Sequence, residues 1–198
     1  MASKAEHTTQ FIVQKVAPVF NKHGYVGTSL SDVTKITGLT KGAIYGNFAN
    51  KEELAILAFK QNVRDIILPL SEEMTRHENA VDKLFALTNY YRNYYERVKG
   101  IGGCPVLNVG VDANNVNPAL FQAVKQTALK LENSLRNIIE TGIQKKEIKK
   151  NVDAAVYART IYAMIEGSVF MAFTHKDKTY ISNVMELLET IIREKLAA

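Results

Sequence analysis

One segment, residues 28–54, constrains the fold of this chain more than any other, because it contains three helix-start signals within a short span. Ser29 and Asp32 have the spacing of a capping box, in which a hydroxyl and an acid satisfy backbone amides of the first helical turn. Thr40 is placed to cap the next helix. Gly38 favours a tight turn between the two, because glycine takes a positive φ without steric cost. Two short helices joined in this way predict a helix-turn-helix.

The second of these helices, predicted over Lys41–Phe48, has almost no side chain on its outer face. Gly42, Ala43 and Gly46 lie opposite its apolar side, so its backbone can approach another surface closely. Asn50 is placed to cap a third helix. Three helices in this arrangement are typical of a domain that binds DNA.

The N-terminal quarter of the chain resembles the TetR/AcrR family of bacterial transcriptional regulators. The resemblance rests on an apolar helix that ends in FNKHGY, followed by TS, GLTKGAIYGNF and NKEEL. It implies an N-terminal three-helix DNA-binding head, residues 1–50, and a C-terminal helical ligand-binding and dimerisation bundle, residues 51–198. The helix from Lys51 to about Thr75 would connect the two, and we expect it to be the only covalent strut between them.

The remaining sequence predicts helices throughout, and therefore an all-α fold. Pro69 predicts a kink or break, and Lys145–Lys150 is expected to be a solvated connector. Outside the helix-turn-helix, the sequence predicts six further helices: Thr8 or Thr9 to Gly24, Lys51 to about Thr75, Ala80 to Val98, Pro118 to about Gln144, Asp153 to about Thr174, and Lys178 to Leu196. Asn117 is placed to cap the Pro118 helix.

The last two predicted helices have more apolar surface than one chain can cover. The Asp153 helix carries apolar residues on all sides, and the final helix carries a continuous apolar stripe. Together they predict half of a four-helix bundle that a second copy completes, which would make the protein a homodimer. The alternative is that these helices complete the core of a monomer.

Charge and composition favour a DNA-binding protein and exclude several other classes. The chain has a net charge of +5, and residues 1–50 contribute +3 of it, from Lys4, Lys15, Lys22, Lys35 and Lys41 against Glu6 and Asp32. Such a basic head suits contact with phosphates, although so small an excess is also common on solvated surfaces. The single cysteine excludes an internal disulfide, and no apolar run is long enough to span a bilayer. Without a signal peptide, a cytoplasmic location is expected.

Nothing in the sequence indicates an enzyme. The four histidines are scattered, no HExxH or CxxC spacing occurs, and no glycine-rich phosphate loop follows a strand. We therefore expect no catalytic residue, no metal site and no cofactor.

The resemblance implies roles for individual residues of the head. Phosphate contacts would come from Thr28, Thr40, Tyr45, Asn47 and Lys51, and their hydroxyl, amide and ammonium groups suit that role. Bases would be contacted by Lys41, Gly42 and Ala43. Tyr45 could instead pack on the head's own core, and Asn47 could simply end its helix. No arginine precedes Arg64, so specificity is expected to rest partly on DNA shape.

Candidate ligand-binding residues lie in the C-terminal part. Several tyrosines share one side of the fifth helix, and a flat apolar ring with one polar handle suits an aromatic or amphipathic small molecule. Glu166 lies in the apolar segment IYAMIEGSVFMAF, where a carboxylate must be hydrogen-bonded, paired or protonated. The candidates are Tyr91, Tyr94, Tyr95, Cys104, Asn108, Glu166 and Phe170. The alternatives are plain core packing for the tyrosines, a structural pairing for Glu166 and a small buried hydrophobe for Cys104.

Together these observations predict a ligand-responsive transcriptional regulator, and the resemblance implies that it is a repressor. It would bind an inverted-repeat DNA operator as a homodimer and be released by an unidentified small molecule. The alternative is a helical interaction or ligand-binding protein whose head no longer binds DNA, which the lack of arginine keeps open.

Overall fold

The structure is a computed structural model that describes the backbone of residues 4–198 and the side chains of residues 5–198. Lys4, one of the five lysines that make the head basic, therefore has its side chain outside the described part. The described residues form ten α-helices and no strand, which confirms the all-α prediction. The helices are α1 Lys4–Gly27, α2 Leu30–Thr37, α3 Lys41–Tyr45, α4 Lys51–Thr75, α5 Ala80–Arg92, α6 Tyr94–Val98, α7 Pro105–Ala113, α8 Pro118–Gln144, α9 Ala154–His175 and α10 Thr179–Ile191.

Five of the ten described helix starts follow capping signals of the sequence. The Asn117 side-chain oxygen accepts from the amide of Leu120 at the start of α8, and the Asp153 carboxylate accepts from the first amides of α9. Asn50 likewise accepts from the amide of Glu53 in α4. These caps are confirmed because each depends only on residues within one helical turn.

Four helix predictions need correction. Thr8 and Thr9 lie inside the first helix, which already includes Lys4, and α4 continues through Pro69 without a break. The helix predicted from Ala80 to Val98 is interrupted at Asn93, a residue of low helix propensity, whose φ of −102° and ψ of 6° are not helical. The final helix changes to a π-helical turn over Ile192–Leu196.

The Lys145–Lys150 connector is packed and is not a simple solvated loop. Its Ile148 is buried, and the Lys149 amide donates to the Leu196 carbonyl over 2.8 Å. The Glu147 carboxylate accepts from the amide of Ala80 over 2.7 Å. The charged side chains of this segment favoured the prediction of a solvated loop, but they flank Ile148, its one apolar residue, which anchors the connector.

The chain forms two compact units, each of which combines two sequence-distant segments. The first unit contains the residues up to Ile66 together with Gly100–Gln126, and the second contains Ile67–Lys99 together with Thr127–Ala198. The chain therefore passes between the units at three positions, within α4, before Gly100 and within α8. These units differ from the predicted division into residues 1–50 and 51–198, and that division, with the Lys51 helix as its only covalent strut, stays a prediction.

The first unit is built around the long helix α1. Ile12, Val16 and Phe20 of α1 are buried in a core that includes Phe59 of α4 and Val109 of α7. Burial of this aliphatic and aromatic surface makes the main favourable contribution to the stability of the unit.

A buried asparagine joins α1 to the segment that follows Lys99. The Asn21 side chain is 2% exposed, and its amide donates to the carbonyls of Ile101 at 2.7 Å and Gly103 at 2.9 Å. In the opposite direction, Asn108 of α7 donates to the carbonyl of Asn21 over 3.2 Å. These bonds satisfy backbone groups of an irregular segment, which explains why Gly100–Gln126 packs with the N-terminal helices.

The second unit is held by apolar packing and by one charged network between α5 and α10. The Glu189 carboxylate accepts from Arg92 at 2.8 Å and from Thr88 at 3.2 Å, and Arg193 lies 3.2 Å from its other oxygen. Burial acts to raise the pKa of Glu189, but the hydrogen bonds and positive charges of these neighbours together hold that pKa below its usual value.

Candidate nucleic-acid interface and ligand cavity

The helix-turn-helix predicted from the sequence is present in full. At the start of α2, the Ser29 amide donates to the Asp32 carboxylate over 2.8 Å and the Asp32 amide donates to the Ser29 hydroxyl over 3.2 Å. The hydrogen bonds from Ser29 lower the pKa of Asp32. Gly38 ends α2 with a φ of 71°, and Thr40 accepts from the amide of Ala43 to start α3.

The helix α3 is shorter than predicted, because it ends at Tyr45 and does not reach Phe48. The Asn47 side-chain amide donates to the carbonyl of Ala43 over 2.7 Å, which replaces a backbone partner at the helix end. The Asn47 amide nitrogen of the backbone donates to the Ile44 carbonyl, a tighter turn than an α-helix has. Asn47 thus ends the helix, as one of the two interpretations of the sequence proposed, while its contact with phosphate stays a prediction.

Glycines leave part of the outer face of α3 without side chains. Ile44 points into the core, whereas Lys41, Gly42 and Gly46 are exposed and Tyr45 is 52% exposed. A Cβ placed on Gly42 would meet nothing closer than the Thr40 hydroxyl at 4.0 Å. About half of the Tyr45 side chain is therefore available to a partner, and the backbone of α3 is open to a partner surface at its glycines.

The other predicted phosphate contacts differ in their exposure. Thr40 is exposed, but Thr28 is 1% exposed and its hydroxyl donates to the carbonyl of Gly24 over 2.8 Å. Lys51 lies at the N-terminus of α4, where backbone amides also point outward, and this is a favourable position for an anion. Thr28 is the least accessible of the set, and the phosphate roles of all these residues stay predictions.

Lys51 is positioned by residues that the sequence did not single out. Its ammonium lies 4.4 Å from the centroid of the Tyr25 ring, and the Tyr25 amide donates to the Asp112 carboxylate of α7 over 2.6 Å. Partial burial lowers the pKa of Lys51, and the carboxylates of Asp112 and Asp32 act in the opposite direction. Asp112 also packs on Gly24, where a Cβ would come within 2.4 Å of its oxygen and where φ is 73°. Helices α1, α4 and α7 thus meet beside the predicted phosphate contact.

A cavity of about 250 Å³ lies within the second unit. Its wall is formed by the second half of α4, by α5, by the second half of α8 and by α9. Of the predicted ligand-binding residues, Tyr91 lines it. Its neighbours in the wall were not predicted and include Lys83, Leu87 and Tyr162. Lys83, Leu87 and Tyr91 are spaced by four residues and so share one face of α5, a signal that could have identified Lys83.

The structure does not bring the other predicted ligand-binding residues to this cavity. Tyr94 is buried against Tyr91, with ring centroids 4.8 Å apart, and the Tyr95 ring packs on Phe173. Because α5 ends at Arg92, the helical face that contains Tyr91 does not continue to these two tyrosines. Glu166 is half-buried and does not line the cavity.

Three further candidates lie elsewhere. Cys104 is buried in the first unit, and Asn108 of that unit donates to the carbonyls of Gly102 and Asn21. Phe170 of α9 is 51% exposed. None of the three lines the cavity of the second unit, and their ligand-binding roles stay predictions.

The exposed side of α9 is a stripe of apolar and small residues. Val156, Ala163, Gly167 and Phe170 are exposed and recur at helical spacing, and Leu187 is exposed on α10. The opposite side of α9 is buried in the second unit, so one face of α9 leaves apolar surface uncovered. The apolar stripe predicted on the final helix is instead buried within the same unit at Ile181, Met185 and Leu188, so that part of the expectation is wrong.

Within residues 5–198, no group of three or more histidine, cysteine, aspartate or glutamate side chains is placed to hold a metal ion. No described helix combines the length and the apolar character that crossing a membrane requires.

Comparison with known proteins identifies the family. The family profile described as bacterial regulatory proteins of the tetR family matches residues 13–58, which contain α2, α3 and the start of α4. The profile of the tetracyclin repressor-like C-terminal domain matches residues 80–188, more than half of the chain. The chain belongs to the tetR family.

Relatives of known structure extend over the whole chain. A TetR-family transcriptional regulator from Cytophaga hutchinsonii is 35% identical, with 100% of this chain and 99% of that chain covered and a TM-score of 0.91. A TetR transcriptional regulator from Chloroflexus aurantiacus J-10-FL is 33% identical, with 98% of each chain covered and a TM-score of 0.92. The fatty acid metabolism regulator protein of Bacillus subtilis is 26% identical over 189 residues, 93% of this chain and 95% of that protein.

Membership of the tetR family confirms the main sequence predictions. The protein is a transcriptional regulator with an N-terminal helix-turn-helix that binds DNA and a C-terminal helical domain. Its family consists of regulators and not of enzymes, so the prediction that the chain has no catalytic function is also confirmed.

Proposed function

We propose that this tetR-family regulator is a repressor that binds an inverted-repeat operator as a homodimer and leaves it when a small molecule occupies the cavity of the second unit. The observation that carries the proposal is the exposed, glycine-containing face of α3 beside Lys41 and the N-terminus of α4. Where a helix has glycine in place of larger residues, its backbone can approach the bases of a major groove closely.

Contacts with DNA divide into two groups under this proposal. Thr28, Thr40, Tyr45, Asn47 and Lys51 contact phosphates and fix the register of the head on the duplex. Lys41, Gly42 and Ala43 face the bases, where the Lys41 ammonium donates to guanine acceptors and the Ala43 methyl meets a thymine methyl. The Tyr25 ring lies 4.4 Å from the Lys51 ammonium and helps to hold it at the N-terminus of α4, where it contacts the phosphate.

A homodimer follows from the exposed stripe on α9 and α10. A second copy placed against Val156, Phe170 and Leu187 would cover apolar surface that water otherwise contacts. A two-fold dimer presents two α3 helices to half-sites roughly 34 to 36 Å apart, so the operator is expected to be an inverted repeat.

A ligand can release the protein from DNA because ligand binding and DNA binding are thermodynamically linked. The ligand must bind more tightly to a conformation in which the two heads are wrongly spaced for the operator. A coupling free energy of about 1 to 3 kcal/mol would weaken operator binding by about 5 to 150-fold. The three positions at which the chain passes between the two units, within α4, before Gly100 and within α8, provide the covalent routes for this coupling.

The test is binding of the purified protein to duplex DNA from the flanks of its own gene, measured by fluorescence anisotropy at several salt concentrations. Lys51→Ala should weaken binding about equally for different sequences and flatten the logarithmic salt dependence by about one unit. A loss that depends on the base sequence would show that Lys51 does not contact phosphate.

The alternative function is a ligand-binding protein of the same fold that has lost DNA binding. The absence of arginine before Arg64 favours it, because the bidentate contact of arginine with guanine is unavailable. Failure of the wild-type protein to bind any of these duplexes at low salt would support this alternative over the repressor.

A further inference from the structure

The described wall of the cavity in the second unit is mostly apolar and carries charge of one sign only. Among the described residues that line it, eight are aliphatic or methionine, five are uncharged and polar, one is a lysine and none is acidic. The apolar residues are Ile67, Leu70, Met74, Leu87, Leu131, Leu135, Ile138 and Ile165. The uncharged polar residues are Ser71, Thr75, Tyr91, Ser134 and Tyr162.

Lys83 supplies the only charge in this described wall. It lies on α5 one turn before Leu87, and its side chain is half-buried. None of the ion pairs found among residues 5–198 involves Lys83. An ammonium beside an apolar surface loses part of its hydration, and only an anion or several hydrogen-bond acceptors restore that loss.

The exposure of the lining residues indicates how a ligand would lie. Ser71, Thr75 and Ser134 are exposed and mark the open end of the cavity, whereas Leu87 and Ile165 are buried and mark its inner wall. A polar head near the opening and an apolar tail directed inward would match this arrangement. The volume of about 250 Å³ holds about eight groups of the size of a water molecule.

We propose that the effector is an apolar monocarboxylate with a tail of about eight heavy atoms, whose carboxylate pairs with the Lys83 ammonium. This inference rests on the proposed function for its regulatory meaning, but binding of the ligand itself does not depend on DNA. An organic cation would be repelled by Lys83 and would find no acidic partner in the described wall. A neutral alcohol of the same length would fill the apolar part and leave the ammonium without a counter-charge.

The experiment compares three probes of equal chain length, octanoate, 1-octanol and octylammonium, by isothermal titration calorimetry of the full chain without DNA at pH 7. Octanoate should bind at least about tenfold more tightly than 1-octanol, because a charge-assisted hydrogen bond is roughly twice as strong as a neutral one. Octylammonium should bind more weakly than either.

Substitutions of Lys83 test whether this residue causes the preference for octanoate over 1-octanol. Lys83→Met shortens the side chain by one heavy atom and removes the charge, so octanoate should lose about tenfold in affinity while 1-octanol should bind as well or better. Lys83→Arg keeps the charge and should retain the preference for octanoate. Lys150→Met is the matched control, because Lys150 is exposed and does not line the cavity.

Several outcomes would overturn the inference. They are no binding of octanoate at millimolar concentration, equal affinity for octanoate and 1-octanol, tighter binding of octylammonium, or unchanged octanoate affinity in Lys83→Met. If Lys83→Met does not fold, loss of the preference in the folded Lys83→Arg variant overturns it equally.

The same probe separates this inference from the proposed function. If octanoate binds with the predicted Lys83 dependence but leaves operator affinity unchanged, the ligand class is correct and release by the ligand is wrong. If another compound releases the operator and octanoate does not bind, the proposed function holds and the ligand class is wrong.

Discussion

Replacement of Gly42 by leucine should abolish tight DNA binding and leave the fold intact. Gly42 is exposed on α3, and a Cβ added there would meet nothing closer than 4.0 Å. Its backbone is helical, so an ordinary side chain is accommodated without strain. Because glycine is the least favourable residue in a helix after proline, the substitution should stabilise the protein by up to about 1 kcal/mol.

The same side chain should obstruct the approach of α3 to the bases. Displacing the helix from the groove removes base contacts, and each base pair that is no longer matched costs about 1 to 3 kcal/mol. We therefore expect Gly42→Leu to bind operator DNA about 10 to 100-fold more weakly, since about 1.4 kcal/mol corresponds to a factor of ten.

The assay pairs fluorescence anisotropy on an operator duplex with thermal unfolding of the same samples. Gly100→Leu is the matched control, because a Cβ at Gly100 also meets nothing within 4 Å but lies outside α3. Wild-type affinity in a folded Gly42→Leu variant would refute the assignment of α3 to the DNA surface. Equal loss of binding in both variants would refute it as well, because the effect would not be specific to α3.

Three other variants test the packing of the two units and the dimer. Asn21→Ala leaves two backbone carbonyls without their donor and should lower the free energy of unfolding in urea by about 2 to 4 kcal/mol; a loss below about 0.5 kcal/mol would contradict the role of Asn21. Glu189 is 18% exposed on its side chain and has a lowered pKa, so its stabilisation is present at neutral pH and is lost as the pH falls through that pKa. Glu189→Gln should therefore lose about 1 to 2 kcal/mol at pH 7 and much less in strong acid, and equal losses at both pH values would show that the Arg92 network does not stabilise the fold. Phe170→Glu places a charge on the exposed stripe of α9 and should convert a dimer into a monomer in sedimentation analysis at micromolar concentration; a dimer that persists would place the interface elsewhere.

Local signals predicted the helix-turn-helix well, because its geometry depends on residues a few positions apart. The capping box at Ser29 and the left-handed turn at Gly38 are each complete within four residues, and both are present as expected. The end of α3 was predicted less well. Its last turn depends on the Asn47 side chain, which competes with the backbone for the Ala43 carbonyl in a way that apolar spacing does not reveal.

Contacts between residues far apart in the sequence could not be predicted from local signals. Asp112 supports Tyr25 across 87 residues of sequence, and no local pattern marks it. The wall of the cavity combines side chains from four helices, so the spacing of one helix identified Tyr91 but not the composition of the whole wall. The break at Asn93 then removed Tyr94 and Tyr95 from the face of α5 on which the sequence had placed them.

The central claim, that two α3 helices of a dimer grip one operator, is tested most directly by hydroxyl-radical footprinting on DNA from the flanks of the gene. Two symmetric protected regions with centres about 10 base pairs apart, both lost in Gly42→Leu and retained in Gly100→Leu, are the expected result. Absence of protection at low salt, or a single unsymmetrical region that Gly42→Leu leaves unchanged, would contradict the account.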